Sequence, residues 1–271
     1  MKQKPEYRIV FIGAGNVATH LSLALQQSGC SILQVYSKTE LSASVLGEKL
    51  QVPYSTSFSE INLNADVYIF SVKDTVLIDC IKEIPAVKGI FVHTAGSIPL
   101  SVFDGFTKRA GVLYPLQTFS KNREISFTEI PIFIEASNKE DEDLLCKLSH
   151  LISKNVNVLH SEKRKYLHLS AVFACNFVNH IYDLASQVLE EQNLPFDYLL
   201  PLIKETTAKI EEMTPHEAQT GPAVRGDNSI IQRHLKLITN EKNKKLYEVL
   251  SESICEISWA NFNSLTKPNK N

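Results

Sequence analysis

The sequence lacks the features of membrane-spanning, secreted and metal-cluster proteins. No apolar run approaches the roughly 20 residues that cross a bilayer, and residues 1–6 lack the apolar core of a signal peptide. The five cysteines lie far apart and form no CxxC pair, a spacing that indicates reduced thiols and no metal cluster. We therefore expect a cytoplasmic protein that has no membrane contact and binds no metal.

The chain also lacks an excess of charge of one sign, and it lacks the motifs of serine hydrolases and zinc enzymes. A net charge of −2 over 271 residues argues against a surface for nucleic acid or for an anionic membrane. No G-x-S-x-G motif marks a serine nucleophile, and the eight histidines form no H-E-x-x-H zinc motif. With 44% hydrophobic residues, the chain has the composition of a globular protein with room for one large domain or two ordinary ones.

An apolar run that ends in a pair of glycines is the strongest signal in the chain. Residues 8–12 are typical of a buried strand, and a helical pattern begins directly after Gly13-Ala14-Gly15. In this context G-x-G-x-x-G/A indicates a dinucleotide site, with Ala18 in the third position and a diphosphate at the helix N-terminus. An ordinary glycine turn in a parallel sheet is the alternative. The residues expected to contact the cofactor here are Gly13, Gly15, Asn16 and Val17.

The residues after the second predicted strand, 32–36, indicate which nicotinamide cofactor fits. NAD-binding proteins usually carry an acidic residue there for the ribose 2′-hydroxyl, whereas this chain has Ser37-Lys38-Thr39. Two hydroxyls and a cation suit a 2′-phosphate, which an acidic side chain would repel by about 4 kcal/mol at close range. The sequence therefore predicts NADP rather than NAD. The alternative is a solvated turn in which Ser37 or Thr39 caps the helix predicted at 40–50.

Strands and helices alternate from residue 8 to residue 160, which predicts an α/β fold with a doubly wound, mostly parallel sheet. Further strands are expected at 53–54, 66–72, 89–93, 111–114, 131–135 and 155–159. Further helices are expected between the loop 73–75 and about residue 84, after Ser97 and at 138–154. Ligands of such sheets bind at the carboxyl ends of the strands. There we expect cofactor contacts from Ser71, Val72, Lys73, Thr94 and Ala95, and substrate contacts from Ser97 and Gln117.

A second pattern, without strands, covers the remainder of the chain. No glycine or proline interrupts residues 162–192, where apolar residues recur at steps of four and three. Three more helices are expected at 197–212, 228–238 and 241–262, and the polar tail 266–271 is expected to fray. We therefore predict a cofactor-binding domain at 1–160 and an all-α domain at 161–271.

Polar side chains on the long helix are candidates for catalysis. His168, Asn176 and Asn179 lie within roughly 80° of one another around an ideal helix. His168 is the first candidate for the proton donor because an imidazole titrates near neutral pH, and Lys73 at a strand exit is the second. The alternatives are that the helix residues bond to neighbouring backbone groups and that Lys73 is an ordinary surface lysine.

The irregular segment 220–227 has the features of an anion site. Its T-G-P and G-D sequences predict two turns, and Asp227 is a candidate N-cap for the helix that follows. Arg225 lies between the turns and could hold a carboxylate or phosphate through a two-pronged hydrogen bond. The alternative is an ion pair between Arg225 and Asp227 that locks the loop. The substrate contacts expected here are Thr220, Gly221, Arg225 and Asp227.

Several motifs taken together resemble a known family. They are GAGNVA (13–18), YIFSVKD (68–74), HTAGS (93–97), YPLQTF (114–119), KRKYLHLSAVFACNFVNHIY (163–182) and TGPAVRGD (220–227). On these motifs the chain resembles bacterial two-domain oxidoreductases with a Rossmann-like N-terminal domain and a C-terminal helical domain of unknown function. That group is similar to pyrroline-5-carboxylate reductase, ketopantoate reductase and the 6-phosphogluconate/β-hydroxyacid dehydrogenases.

The resemblance implies an NADP-linked reductase or dehydrogenase in which the helical domain closes the active site and often dimerises. It implies no particular substrate. The β-hydroxyacid dehydrogenases use a lysine–asparagine pair on the long helix, whereas the lysines here, Lys163 and Lys165, lie at its start. We expect a homodimer formed through the helical domain, since a domain of about 110 residues buries little surface alone.

These observations predict an NADP-dependent oxidoreductase that transfers a hydride to or from a small, anionic substrate in a cleft between the domains. A non-catalytic sensor or scaffold that binds NAD(P) is the alternative, because no catalytic lysine stands out. The expected partners are a small-molecule substrate and a second copy of the chain, without nucleic acid or membrane.

Overall fold

Eight strands form one sheet in the part of the chain that the structure describes. The structure is a computed structural model that describes residues 7–265, with side chains described as far as residue 257. The strands are β1 (Arg8–Ile12), β2 (Ser31–Tyr36), β3 (Tyr54–Ser55), β4 (Val67–Phe70), β5 (Ile90–His93), β6 (Ala110–Pro115), β7 (Ile132–Ala136) and β8 (Val156–Val158). Their order is β3-β2-β1-β4-β5-β6-β7-β8. β1 therefore lies between β2 and β4, where the strand order reverses direction.

The two faces of the sheet are both buried under helices, and β1 shows why. Ile9 and Phe11 belong to one apolar core, Val10 and Ile12 belong to the other, and all four are fully buried. Because successive side chains of a strand point to opposite faces, a continuous apolar strand needs helices on both sides. The helices of this region are α1 (Asn16–Gln27), α2 (Glu40–Leu50), α3 (Leu77–Glu83) and α4 (Lys139–His150). The predicted doubly wound, mostly parallel α/β sheet is confirmed.

One pair of strands departs from the parallel arrangement. β7 runs antiparallel to β6, and β8 then pairs with β7 in parallel. A parallel pair needs a long crossover connection, usually a helix, and residues 116–131 between β6 and β7 contain no helix. The chain therefore turns back along β6 instead of crossing over the sheet.

The helix predicted after Ser97 is wrong, because the structure has only the 3₁₀ turn Leu100–Phe103 there. Phe103 inserts into the core between the rings of Phe70 and Phe91, with centroids 5.9 and 6.2 Å away. Gly105 follows with a φ of +82°, a left-handed conformation that a helix cannot contain. The core contact and the glycine together end the helix after one turn.

The helical part begins at residue 161, where the second domain was predicted to start. Its first stretch consists of α5 (Ser161–Ala171), the π-helical segment Val172–Phe177 and α6 (Val178–Glu190), and it is followed by α7 (Leu200–Glu212), α8 (Asn228–Leu237) and α9 (Glu241–Leu265). The chain divides into two compact units after Asn176, so α5 belongs to the unit that contains the sheet. No helix among residues 7–265 is long and apolar enough to cross a membrane. The tail 266–271, predicted to fray, lies outside the described residues.

Candidate functional site

The turn after β1 is shaped to receive a negatively charged group. Gly13 has a φ of +112°, and a Cβ atom there would collide with the Ser71 carbonyl, so only glycine fits. Gly15 is the N-cap of α1, where no side chain caps the helix and no acidic residue occupies the first turn. The backbone N–H groups at the start of α1 therefore have no acceptor within the helix. Such a helix N-terminus carries a partial positive charge and is suited to bind phosphate.

A cavity of about 890 Å³ opens beside this turn. Its wall consists of residues at the carboxyl ends of β1, β4, β5 and β6, together with residues of α5 and the π-helical segment. Ligands of doubly wound sheets bind at this edge, where the strand order reverses. The predicted site residues in the cavity lining are Gly15, Asn16, Val17, Ser71, Val72, Lys73, Thr94, Ala95, Gln117, His168 and Asn176.

Helix α1 holds one wall of this cavity in place. Asn16 Nδ2 donates a hydrogen bond of 2.8 Å to the Phe119 carbonyl oxygen, and His20 Nε2 lies 2.9 Å from the Ser120 carbonyl oxygen. The His20 imidazole also stacks on the Phe119 ring, with centroids 5.3 Å apart. The side-chain amide of Asn16 therefore fixes the loop after β6, and its backbone N–H remains at the helix N-terminus. His20 was not predicted, and its position one turn after Asn16 is its only sequence signal.

The loops after β4 and β5 are joined by hydrogen bonds between hydroxyls and a carboxylate. Thr94 Oγ1 donates to Ser71 Oγ over 3.2 Å, and Ser97 Oγ donates to the Asp74 carboxylate over 2.6 Å. Ser97, predicted to contact substrate, thus uses its hydroxyl to tie the two loops together and is not part of the cavity lining. Lys73 is exposed and lines the cavity beside Asp74.

His93 lies at the end of β5, beneath these loops. It is fully buried, its Nδ1 accepts a hydrogen bond of 3.2 Å from the Ala95 backbone N–H, and its ring stacks on Phe103. Burial, together with the smaller effect of the Arg164 guanidinium, lowers the pKa of His93 to about 3. His93 is therefore neutral at physiological pH and supports the loop after β5.

Tyr114 and His168 are hydrogen-bonded to each other within the cavity lining. Tyr114 Oη lies 3.0 Å from His168 Nδ1, and the two rings meet edge to face. A Cβ atom on Gly96 would lie 2.6 Å from His168 Nδ1 and 2.8 Å from Tyr114 Cζ, so both rings pack against this glycine. Burial raises the pKa of Tyr114, which keeps the phenol protonated at neutral pH. His168 was predicted as catalytic, whereas Tyr114 was identified only as part of the YPLQTF motif, with no role of its own.

A buried ion pair anchors α5 to the sheet one turn before His168. Arg164 bonds to the Glu135 carboxylate on β7 and donates from Nη2 to the Ile98 carbonyl oxygen over 2.6 Å. Ser161 Oγ donates to the same carboxylate over 2.6 Å. Burial raises the pKa of Glu135, but the bonds from Ser161 and Arg164 outweigh it and the pKa is lowered. Because residues four apart share a helix face, this anchor sets the position of His168.

Ser37, Lys38 and Thr39 follow β2, the neighbour of β1, at the same edge of the sheet as the glycine turn. They do not line the cavity. Thr39 Oγ1 donates to Ser42 Oγ over 2.8 Å and makes no side-chain cap for α2. Lys38 is exposed, and its positive charge opposes the rise that burial causes in the pKa of Cys80 on α3. A cation is therefore available to a phosphate at the end of β2.

The remaining predicted residues belong to the second unit. They are Asn179, Thr220, Gly221, Arg225 and Asp227. Asn179 is exposed on α6, and Gly221 lies at a bend with a φ of +113°, directly before the turn at 222–226. Asp227 is the N-cap of α8, where its carboxylate accepts a hydrogen bond of 3.3 Å from the Ser229 hydroxyl. Among the described side chains, no ion pair joins Arg225 to Asp227, so the alternative of a locking salt bridge is not realised.

Two family models match the chain. One, described as NADP oxidoreductase coenzyme F420-dependent, matches residues 8–93, which include the glycine turn and the ends of β1, β2, β4 and β5. The other, a domain of unknown function (DUF2520), matches residues 130–254, which include the anchored helix α5 and most of the helical part. A search of curated proteins found no relative.

Solved structures with the same fold extend these matches over nearly the whole chain. A putative NADP oxidoreductase from Bacteroides fragilis is 48% identical with a TM-score of 0.88, and the match covers 93% of this chain and 98% of that one. A protein from Thermotoga maritima is 21% identical with a TM-score of 0.76, covering 92% and 99%. A 1-pyrroline-5-carboxylate reductase from Streptococcus pyogenes, 13% identical with a TM-score of 0.62 and coverage of 93% and 99%, shares the fold.

Proposed function

This chain belongs to the family of the Bacteroides NADP oxidoreductase, and we propose that it transfers a hydride between NADP and a small, anionic substrate. The chain is an NAD(P)-dependent oxidoreductase with NADP as its cofactor, so the predicted family, enzyme class and cofactor are confirmed. The substrate and the residues that act on it are our proposal, and the following observations support it.

The glycine turn is the observation that carries the proposal. The open N–H groups at the start of α1 suit a diphosphate, because they combine unpaired donors with the positive end of the helix dipole. A Cβ atom on Gly15 would come no closer to another residue than 4.0 Å, from the Ser71 carbonyl oxygen. The absence of a side chain at position 15 therefore leaves a space that the protein's own atoms do not fill and that a ligand can occupy.

The end of β2 supports the assignment of the 2′-phosphate to residues 37–39. Lys38 is exposed there, and the hydroxyls of Ser37 and Thr39 lie on either side of it in the chain. We propose that this segment holds the 2′-phosphate while the turn after β1 holds the diphosphate. Both anions of one cofactor would then lie along the carboxyl edge of adjacent strands.

The cavity beside the glycine turn supports a proposal for where the substrate binds and which residues act on it. When bound, the cofactor supplies the hydride, and the protein orients the substrate and handles its proton. We propose that His168 takes part in the proton transfer, with Lys73 as the second candidate, and that Asn176 and Gln117 orient the substrate, since all four line the cavity. The substrate contacts from Thr220, Gly221, Arg225 and Asp227 remain predictions. The catalytic role of Asn179 also remains a prediction. A substrate cleft between the domains likewise remains a prediction.

Cofactor binding and turnover test this function in two steps. Calorimetry measures the binding of NADPH to the full-length protein, and loss of NADPH absorbance then measures turnover on a panel of small keto acids and cyclic imines. Each acid is paired with its neutral amide, and coenzyme F420, named in the description of the family model, is included. We expect NADPH consumption with an acid and at least about tenfold slower consumption with its amide, as the loss of a charged hydrogen bond implies.

Two results would contradict the proposal in different ways. If NADPH binds tightly and no member of the panel is turned over, the chain acts as a sensor or scaffold that binds NADP. If an acid and its amide react at equal rates, the substrate is not recognised through its negative charge.

We also propose that the chain forms a homodimer through its helical part. Among the described residues after 160, Ala223 and Leu235 are the buried apolar side chains, whereas many large apolar ones are exposed. Leu202 and Leu237, for example, have 62% and 75% of their surface exposed. Exposed apolar side chains in this number favour an interaction surface, and a second copy of the same chain is the simplest partner.

A further inference from the structure

We infer that Tyr114 gives the proton to the substrate and that His168 resupplies Tyr114. The inference rests on the proposed function, because a proton is required only where a hydride is transferred. Tyr114 and His168 both line the cavity beside the loops after β4 and β5, and their polar atoms are 3.0 Å apart. The pair therefore has access to the substrate space and is already connected by a hydrogen bond.

The surroundings hold both rings in this arrangement before any ligand binds. Tyr114 is only 9% exposed at the end of β6, where it pairs with Phe133 of β7. His168 is fixed by the Arg164 anchor on α5, and Gly96 leaves room for both rings. Catalytic groups that are held by packing and by hydrogen bonds to residues behind them lose little entropy in the reaction.

The protonation states of the two side chains suit a transfer in which Tyr114 donates a proton and then receives another from His168. Burial raises the pKa of Tyr114, so the phenol carries its proton at rest, while the positive charge of Arg164 opposes this rise and favours a transient phenolate. His168 can hold a proton on Nδ1, the atom that faces the Tyr114 oxygen.

The proton balance of a reduction is then complete. The hydride forms a new C–H bond, and the oxygen or nitrogen of the same double bond forms a bond to the proton as the Tyr114 O–H bond breaks. The proton on His168 Nδ1 moves to the Tyr114 oxygen, and water returns a proton to His168. The net change is one hydride from the reduced cofactor and one proton from solvent added to the substrate. Oxidation follows the same steps in reverse.

Nitrogen NMR of the cofactor-free protein tests the connection without any turnover. Tyr114→Phe removes only the hydroxyl, and we expect it to shift the ring ¹⁵N resonances of His168. The chain offers a matched control, because Tyr247 Oη lies 2.8 Å from His234 Nδ1 on α8. Tyr247→Phe should shift the resonances of His234 and leave those of His168 in place. If the His168 resonances are the same in Tyr114→Phe and wild type, the pair does not exist and the inference is overturned.

Kinetics of the same variants test the catalytic role, with a substrate found in the panel described above. General acid catalysis contributes about 10²- to 10⁴-fold, so we expect Tyr114→Phe to lower kcat at least about 100-fold while the Kd of NADPH stays unchanged. Tyr247→Phe should keep the wild-type kcat. A wild-type kcat in Tyr114→Phe would overturn the inference alone. Failure of the wild-type protein to bind NADPH or to turn over any substrate would instead contradict the proposed function, and the inference with it.

Discussion

At the scale of single residues, we propose that Lys38 carries the choice between NADP and NAD. A hydrogen bond to a charged group is worth about 1.5–3 kcal/mol, which corresponds to about a 10- to 100-fold change in affinity. We therefore expect Lys38→Ala to weaken NADPH binding by this factor and to leave NADH binding unchanged. Fluorescence titration with each nucleotide measures both affinities.

The control for this substitution is Lys49→Ala. Lys49 is also exposed and lies in the last turn of α2, so its loss changes the net charge equally without touching the end of β2. It should leave both affinities as they are. An equal loss of NADPH and NADH affinity in Lys38→Ala would show that residues 37–39 do not recognise the 2′-phosphate.

His93 makes the stability of the fold depend on pH. Its pKa is about 3 in the folded protein and near 6.5 in the unfolded chain, so the unfolded chain binds more protons between these values. Stability is therefore lost as the pH falls below about 6.5, by about 1.4 kcal/mol per pH unit or about 2 kcal/mol by pH 5. His93→Phe keeps an aromatic ring against Phe103 and removes the titrating group, so its free energy of unfolding should fall less steeply.

Urea unfolding at a series of pH values between 7 and 5 measures this difference. Arg164, which lowers the pKa of His93, and Glu135, which raises it, are present in both proteins, so their own effects cancel in the comparison. Parallel stability curves for His93→Phe and wild type would mean that His93 titrates normally in the folded protein.

At the scale of elements, α5 depends on the buried ion pair between Arg164 and Glu135. Removing one partner of a buried pair leaves the other charge uncompensated and costs about 3–5 kcal/mol. We expect Arg164→Met to lower the free energy of unfolding by this amount, and the double substitution Arg164→Met with Glu135→Leu to lower it by less. Urea unfolding at neutral pH measures both.

The exposed pair Lys165–Glu162, 2.6 Å apart on the same helix, provides the control. Lys165→Met should leave the unfolding midpoint close to that of the wild type, because exposed ion pairs contribute little. If Arg164→Met is no less stable than Lys165→Met, the buried pair does not anchor α5.

Most elements could be predicted because their signals are local. The helix at 40–50 and the strand at 8–12 follow from short-range patterns and have the predicted bounds. The antiparallel direction of β7 could not be predicted, since it depends on an irregular connection with no pattern of its own. The π-helical segment Val172–Phe177 also lacks a local signal, because its apolar residues suit an α-helix equally well. The 80° stripe of His168, Asn176 and Asn179 was derived for an unbroken α-helix, which this segment interrupts.

The parts of the site that follow from local sequence patterns could be predicted, whereas the parts that depend on long-range packing could not. The glycine turn is a contiguous motif, and the ends of parallel strands follow from the sheet, so eleven predicted residues line one cavity. The bond between Tyr114 and His168 joins residues 54 positions apart and depends on the packing of α5 against the sheet. Arg164 was missed because a basic residue in the run KRK is typical of an exposed helix face, whereas this one is fully buried.

At the scale of the whole molecule, the exposed apolar side chains of the helical part predict the oligomeric state. Light scattering should give a mass of twice 30.4 kDa for the wild-type protein. A charge in an apolar interface is costly, so we expect Leu237→Glu combined with Leu202→Glu to give the monomer mass. Leu41→Glu is the control, because Leu41 on α2 is as exposed as Leu237, at 75%. A wild-type monomer, or a variant dimer, would exclude this interface.

At this scale the N-terminus of α1 has two roles in our account: it is part of the fold of the first unit, and we propose that it binds the cofactor. Gly15→Asp separates the two roles. Aspartate is a favourable N-cap residue, and a Cβ atom at position 15 meets no close neighbour, so the fold should keep its thermal stability. Its carboxylate would occupy the open N–H groups of α1 and repel a diphosphate.

Calorimetric titration of NADPH into wild type and Gly15→Asp is therefore the most direct measurement. We predict saturable binding to the wild-type protein and an affinity at least about 100-fold weaker for Gly15→Asp, the effect of about 3 kcal/mol of lost and repulsive interactions. Equal binding of NADPH by the two proteins, or no binding by the wild type, would show that the diphosphate does not lie at the start of α1.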